Sequence, residues 1–468
     1  MRDVSEYEAV RRYPFFKGYM ERFERTSIDN DIPGMLSFFF IQGMVASRFV
    51  RIYWDGIHLD PRVHVFWVQP SRTGKSIAWE FVGDILKDCG FQSINVTDST
   101  EAGLIGGVKQ EQVEGSNGKK ETVTVPTEGV LHGQKALNYD EGSVLLDPGQ
   151  HSKKNVLYLQ QACNAIGSNS NGIEKPMSGR IIKTESMSSL WITTYPPKGV
   201  KDYVLTKGIF QRVLLYWSAW GKDRRKGVSH RRMRRAFTKT PEAEVNYEDI
   251  VGYFSGLEKR LRNRVLELTD TSFMQWDDMD RESQEELVQS CMYDMFEADE
   301  TFYAAGEDAI EDYYSLLDDM EFALMDIVSS FVPAMENYTV ILATHMAMMD
   351  ESWVVTGEHM DMAKDILYDL FKNLIGWLEG EVEVGAKDAI KTMHRKEWIE
   401  TYRAIAPVEL DKRGEDWRSK TKMVKHFMTV HQVTQGTAFN RFNKWAQHLF
   451  DTAKDGKRVY LRLKDEVV

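Results

Sequence analysis

The chain has 468 residues, 42% of them hydrophobic and 28% charged, which is the make-up of a folded globular protein and excludes a disordered or fibrous one. That length allows roughly two to four domains with a substantial core. A formal net charge of −12 excludes a uniformly basic binder, and three scattered cysteines, Cys89, Cys163 and Cys291, exclude a disulfide framework and suit a reducing compartment. The charge is uneven: about eighteen acids lie between Asp277 and Asp326 against Arg281 alone, whereas from Lys391 onward basic residues exceed acidic ones by about seven.

Residues 1–60 read as helical. Tyr13-Pro14-Phe15-Phe16 opens a run through Arg25, Pro33–Arg48 makes a second helix, and an Arg51–Trp54 strand leads into an Asp55-Gly56 turn. Met35–Val50 is the most membrane-like run, but it is too short to span a bilayer and carries Gln42 and Arg48, so a buried helix is expected. No secretory signal pattern stands at the N-terminus, and a cytoplasmic protein is expected. These helices are expected to form a collar packing on the domain that follows.

Val63–Val68 is short, apolar and rich in β-branched and aromatic residues, as a buried strand requires. After it come Gln69-Pro70-Ser71-Arg72-Thr73-Gly74-Lys75-Ser76 and a run placing Ile77, Ala78, Phe81, Val82, Ile85 and Leu86 on one helical face. Strand, loop and helix in this order are the setting of a Walker A phosphate loop. Backbone N–H groups and the helix end hold the anion, Lys75 reaches the β/γ-phosphates, and Ser76 binds Mg²⁺. Gln69 stands where the motif has its leading glycine, and Pro70, with its fixed φ, is expected to supply the bend.

Phe91–Val96 is a second strand, followed by Thr97-Asp98-Ser99-Thr100-Glu101, in which Asp98 or Ser99 could cap a helix. Val113–Val125 reads as a hairpin turning at Ser116-Asn117-Gly118-Lys119, either decoration or an arm toward a partner. Lys135–Tyr139 is a strand ending in Asp140-Glu141, which fits a Walker B motif in which Asp140 orders Mg²⁺ and Glu141 polarises the attacking water. Asn155–Ala165 is a helix, and Gly172–Met187 is a hairpin carrying Lys175, Arg180 and Lys183. Leu190–Thr194 is a core strand whose terminal Thr194 can sense a γ-phosphate, and Arg212 opens a last strand as a candidate arginine finger or a surface ion pair.

Lys222–Lys239 is a basic run, a solvated linker or a phosphate contact. Residues 245–385 read as consecutive helices, with Phe331–Met349 and Glu358–Leu378 separated by a Trp353–Thr356 turn. The acidic stretch before them is an exposed face or a barrier to DNA. From Lys391 onward, a helix at Lys420–Val430, a turn at Thr434-Gln435-Gly436, a helix at Thr437–Phe450 and a basic hairpin make a winged helix-turn-helix. Asn440, Arg441 and Lys444 lie on its recognition helix, and Arg458, Tyr460, Arg462 and Lys464 share a strand face. Such a fold binds duplex DNA or docks protein.

Thr-Gly-Lys-Ser at 73–76, Asp-Ser-Thr-Glu at 98–101, Asp-Glu at 140–141, Ile-Thr-Thr-Tyr-Pro-Pro at 192–197 and Gly-Ile-Phe-Gln-Arg at 208–212 together resemble the P-loop ATPase domain of phage and plasmid replicative helicases. The order hairpin, sensor strand, arginine strand is also similar to that of minichromosome-maintenance helicases. The resemblance covers roughly residues 10–380. It implies ATP-driven translocation on single-stranded DNA by a ring, usually hexameric, with Arg212 supplied to the neighbour's site and a primase or polymerase as a possible partner. A second-sensor arginine is absent from Val332–Met346.

The resulting expectation is an α/β protein with a P-loop NTPase core (ASCE type, AAA+ or RecA-like). Its parts are an N-terminal helical region (1–60), the ATPase core (61–240), a helical lid (241–390) and the winged helix (391–468). ATP and Mg²⁺ are the expected ligands, DNA the partner, and no membrane is expected. The rival is an ATP-regulated DNA-binding initiator or regulator that does not unwind.

Overall fold

A computed structural model describes residues 2–54, 56–96, 100–114, 120–146, 153–168, 170–177, 180–196, 208–235, 244–318, 320, 322–410, 414–431, 434–456 and 458–464. Asp98 and Ser99, the Ser116–Lys119 turn, Pro197 and the end of the basic run lie outside them. The chain divides into two compact units, residues 1–378 and 379–468.

In the first unit, α1 (Pro14–Thr26) and α2 (Asp31–Ala46) precede a small hairpin, Ile52–Trp54 with Ile57–Leu59. Five strands then build one sheet, with α3 (Lys75–Asp88) following the first: β1 (Val65–Val68), β2 (Gln92–Asn95), β3 (Lys135–Tyr139), β4 (Ser189–Thr194) and β5 (Leu214–Trp217). Their order across the sheet is β5-β1-β4-β3-β2, and every pairing is parallel. Parallel neighbours need crossovers, which the helices and hairpins between the strands supply. A parallel sheet is covered on both faces, so β1 and β4 are buried at every residue. Two hairpins project from the crossovers, Gly106–Glu114 with Lys120–Glu128 and Ile173–Met177 with Arg180–Thr184.

α2 is the buried helix expected over Met35–Val50. Every residue from Ile32 to Ala46 is buried, because the helix is apolar all round and has no side to give to water. Phe38 packs on Phe16 and edge-on against Tyr19, while Phe40 stands edge-on to Trp191 of β4 at 5.4 Å between ring centres. At Gly43 a Cβ would sit 2.4 Å from the carbonyl oxygen of Pro61, so only glycine permits the approach. On α3, Ile77 is exposed while Trp79 is buried, since the helix packs against α1 and α2 as well as the sheet.

The helices after β5 include α4 (Lys222–Arg235), α5 (Tyr247–Leu268), several more through the acidic stretch, α6 (Val332–Met349) and α7 (Gly357–Ala404). α6 belongs to the same core as the sheet. It is buried from Tyr338 to Met348, and its His345 Nε2 lies 2.8 Å from the Pro61 carbonyl. Asn373 of α7 bonds the backbone of Trp217 twice, at 2.8 and 2.9 Å, and so closes the free edge of β5. No described helix is long and apolar enough to cross a membrane.

Burial sets the pH response of this unit. Desolvation pushes His64 down to about 3 and His345 to about 4, and both are neutral in the folded chain. The unfolded chain therefore binds protons first as pH falls below the ordinary histidine value near 6.5. Stability is fully present above that value and is lost as pH falls toward 4, by up to ~1.4 kcal/mol per pH unit for each histidine. Asp31, raised to about 6 by burial, opposes this with one proton against two. The urea midpoint is expected to drop between pH 7 and pH 5, and His345→Gln is expected to make the drop shallower.

The second unit holds β6 (Val408–Leu410), β7 (Gly414–Ser419), α8 (Lys420–His431), α9 (Gln435–Arg441), β8 (Phe450–Asp455) and β9 (Arg458–Leu463). The strands form an antiparallel sheet in the order β6-β7-β9-β8. Its core gathers Trp398, Tyr402, Met423, Phe427, Phe442, Phe450 and Leu461, with Trp398 stacked on Phe427 at 4.1 Å. The helix expected over Thr437–Phe450 runs as α-helix to Arg441, widens into a π turn at Phe442–Ala446 and tightens into a 3₁₀ turn at Gln447–Leu449, from which Phe450 enters β8.

Candidate functional site

Backbone connectivity places the Gln69–Ser76 loop at the carboxyl end of β1, where the Gln69 N–H donates to the Thr194 carbonyl at 3.0 Å. Two left-handed residues shape the loop, Arg72 at φ 62° and Gly74 at φ 101°, and Thr73 Oγ1 donates to the Pro70 carbonyl at 2.7 Å. Gly74 is also the N-cap of α3, so the helix's free N–H groups face the loop. Such an end attracts anions.

The loop is braced from a distance. Asn30 Nδ2 donates to the Thr73 carbonyl at 2.8 Å, and Ser27 Oγ donates to the Gly74 carbonyl at 3.0 Å. Gln69 completes the brace: its Nε2 donates to Asn30 Oδ1 at 2.9 Å, and its Oε1 accepts from Trp67 Nε1 at 2.8 Å. The residue at the leading-glycine position is thus a buried linker between β1 and the α1–α2 turn. A side chain at Gly74 would meet Ser27 Oγ at 2.9 Å and Asn30 Nδ2 at 3.1 Å.

Lys75 is buried, and its ammonium donates to the carbonyls of Gln69 at 2.6 Å and Pro70 at 3.0 Å, 4.9 Å from the centre of the Tyr195 ring. Desolvation pulls it down to about 8, against the opposing charges of Asp140 and Glu141. Ser71, Arg72 and Ser76 are exposed at the mouth.

β3 delivers the acids. Asp140 and Glu141 follow its last residue, both exposed, and Asp140 Oδ1 accepts from Thr193 Oγ1 at 3.0 Å. The chain turns at once, with the Gly142 N–H donating to the Thr193 carbonyl at 2.8 Å. Next to it on β4, Thr194 Oγ1 is buried with no hydrogen-bond partner among the described residues. A buried hydroxyl in that state is costly, and such groups in native proteins call for an explanation. The arrangement therefore gathers a buried cation, an exposed hydroxyl, two acids and an unsatisfied hydroxyl at the carboxyl ends of three adjacent strands. Among the described residues no group of three or more His, Cys, Asp or Glu forms a metal cage. Magnesium at a phosphate site needs only one or two protein oxygens beside phosphate and water.

Arg212 lies elsewhere. It ends a short 3₁₀ turn, Ile209–Arg212, ahead of β5 rather than opening the strand, at the amino end of the sheet where Leu214 pairs with Val65. A four-residue strand separates that end from the loop by about 13 Å, so Arg212 and Lys75 do not share a site within one chain. Its Nε donates to Asn164 Oδ1 at 2.7 Å and its Nη1 to the Gly208 carbonyl at 3.2 Å. It has no carboxylate partner among the described residues and lines a cleft of about 750 Å³ with Asn164, Ser168 and Asn337.

The remaining cations are dispersed. Lys175 pairs with Glu101 at 3.1 Å and Lys183 with Glu174 at 3.0 Å, while the side chain of Arg180 lies outside the described part. In the second unit, Arg458 is exposed. Arg462 pairs with Asp451 at 3.2 Å and lies 5.2 Å from the ring centre of Trp417. Tyr460 shares the face of Arg462, as expected, and is buried there against Trp417 and Ala453. The backbone places Asn440 and Arg441 on α9 and Lys444 in the turn after it, with their side chains outside the described part. Thr100 caps the helix that follows, accepting from the Gly103 N–H at 3.1 Å.

Sequence reasoning passed over Ser27, Asn30 and Tyr195. Ser27 and Asn30 stand in a short polar break between two helical runs, which reads as an ordinary turn. Nothing local marks their bonds to carbonyls more than forty residues away. No protein-family model matches the chain, and no curated protein matches it.

Proposed function

We propose that the chain is an ATP-hydrolysing DNA translocase or helicase, with the nucleotide held by the Gln69–Ser76 loop of a P-loop core. The observation that supports this most is the convergence of Lys75, Ser76, Asp140, Glu141 and the unsatisfied Thr194 hydroxyl at the carboxyl ends of β1, β3 and β4. The strand order β5-β1-β4-β3-β2 supports it as well, because ligands of open parallel sheets bind outside the carboxyl ends where the order reverses. The residues fit a magnesium-bound triphosphate: among the described residues Lys75 has only carbonyls of its own loop as hydrogen-bond partners, and Thr194 has a proton to give.

Ser76 and Asp140 would hold Mg²⁺, which neutralises charge on the phosphate oxygens. Lys75 compensates charge between the phosphates, Glu141 orients and polarises the attacking water, and Thr194 donates toward the terminal phosphate. Arg212 serves a neighbouring copy in a ring, since it cannot reach its own loop. The second unit is a winged helix that meets duplex DNA with Asn440, Arg441, Lys444, Arg458 and Arg462. Lys175, Arg180 and Lys183 contact single strands inside the ring.

The test is ATP turnover and strand displacement. Turnover stimulated by single-stranded DNA, together with unwinding, is expected. Duplex binding without either would favour the initiator or regulator reading.

Lys75 adds a proton signature. A polyphosphate raises the pKa of a lysine that stands near 8 in the free chain. At pH 8 to 9, nucleotide binding is therefore expected to take up protons, and affinity is expected to fall as pH rises above 8 by at most about tenfold per unit. Calorimetry in two buffers of different ionisation heat measures the uptake. Equal heats in both buffers would contradict it.

A further inference from the structure

The basic run is the motif that this site does not absorb. Its described part is α4, fourteen residues with eight lysines and arginines against Asp223 alone. The helix has two different sides. Arg224, Val228 and Arg231 recur at helical spacing and meet the Ser27–Asn30 turn. Arg224 pairs with the Asp29 carboxylate and donates from Nη2 to the Asp29 carbonyl at 2.9 Å. Arg231 donates to the Asp29 carboxylate at 2.5 Å, and Val228 is buried with Ile28 and Trp220. The opposite side and its flank carry Lys222, Lys226 and Arg225, all exposed and without an acidic partner among the described residues.

Four consecutive residues thus divide between two tasks. Ser27 and Asn30 hold the carbonyls of Gly74 and Thr73, while Ile28 and Asp29 hold α4. Asp29 does so at φ 68°, a left-handed turn conformation that aspartate tolerates better than most residues. Arg232 also lies close to the loop, its Nη2 being 3.4 Å from where a Gly74 Cβ would stand. Arg225 donates from Nε to the Trp220 carbonyl at 3.1 Å, whereas Lys222 and Lys226 take no part in holding the helix to the turn; the mutual repulsion of these cations disfavours the helix. An extended polyanion relieves that repulsion, and the phosphate backbone of nucleic acid is such a partner.

We propose that the exposed side of α4 binds a nucleic-acid phosphate backbone and that the Ser27–Asn30 turn transmits its occupancy to the Gln69–Ser76 loop. This rests on the nucleic-acid reading above and adds the surface and its wiring. By linkage, an oligonucleotide on α4 changes nucleotide affinity, and nucleotide changes oligonucleotide affinity by the same factor.

The experiment uses the full chain, a fluorescent oligothymidylate read by anisotropy over a salt series, and a fluorescent ATP analogue. Lys222→Glu with Lys226→Glu is expected to weaken oligothymidylate binding by about tenfold or more. It should also flatten the slope of log affinity against log salt by roughly 0.7 for each phosphate that is no longer neutralised. Asp29→Asn, with thermal melting to establish that it folds, is expected to keep oligothymidylate binding but lose the shift in analogue affinity that saturating oligothymidylate causes. Arg231→Gln, which leaves Arg224 on Asp29, should show the same loss in milder form. If the wild type binds oligothymidylate and the double variant binds it equally well, the α4 surface is wrong while the nucleic-acid reading stands. A wild type that binds none overturns both, as does selective binding of an acidic protein instead. An undiminished shift in both Asp29→Asn and Arg231→Gln overturns the transmission.

Discussion

Lys75→Ala is expected to abolish ATP hydrolysis, with a loss beyond about 10³-fold, while Glu141→Gln loses turnover but keeps nucleotide affinity. The two residues occupy the same site for different physical reasons. Lys75 is a buried cation already drawn toward the loop's own carbonyls, and its removal takes away charge compensation in both the ground and transition states. Affinity and rate should therefore fall together. Glu141 is exposed beyond the end of β3. A glutamine there keeps shape and hydrogen bonding but no longer polarises water, so only the chemical step suffers. Lys75→Met is the useful companion, because it retains the apolar stem that fills the loop and separates lost charge from lost packing. Turnover surviving in Lys75→Met would remove the phosphate-loop reading. Affinity falling as far in Glu141→Gln as in Lys75→Ala would remove the catalytic role of Glu141.

How much of this was legible beforehand depended on how local each signal is. The strand at Val65–Val68 and the helix at Lys75–Asp88 are written in adjacent residues: a β-branched and aromatic run, then an apolar face at helical spacing. Asp140-Glu141 at the end of an apolar strand is equally local, and the backbone brings it beside β1 through β4. What was not legible is what the chain joins across distance. The Gln69–Asn30 bond turns an apparent defect in the motif into a brace, yet neither residue alone announces it. α2 was legible as a buried helix, because it is apolar all round, but not which neighbours cover it: Phe38 meets Phe16, Phe39 meets His345 and Phe40 meets Trp191. Likewise, Arg458, Tyr460 and Arg462 alternate as expected on a strand, but Trp417 takes Tyr460 into the core and lies beside Arg462.

Arg212 is expected to be dispensable for nucleotide binding and needed for turnover, with Arg212→Ala lowering the rate by roughly 10³-fold or more. The geometry makes this a statement about two copies. Within one chain Arg212 stands at the amino end of the parallel sheet and Lys75 at the carboxyl end, so nothing short of unfolding brings them together. Its surroundings suit a residue kept ready rather than consumed: two neutral oxygens, from Asn164 and Gly208, orient the guanidinium, and no carboxylate neutralises it among the described residues. Burial also disfavours its charge, which an incoming phosphate would reward. If the arginine acts in trans, mixing Arg212→Ala with Lys75→Ala subunits should restore part of the activity. A Lys75→Ala copy still offers Arg212 to the intact loop of an Arg212→Ala neighbour. A folding defect is separated by Arg212→Lys, which keeps the charge but not the two-pronged donation, and should bind nucleotide normally while remaining slow. Mixed rings confirmed by mass, yet inactive at every ratio, would show that Arg212 serves the fold through Asn164 and not a neighbour's phosphate.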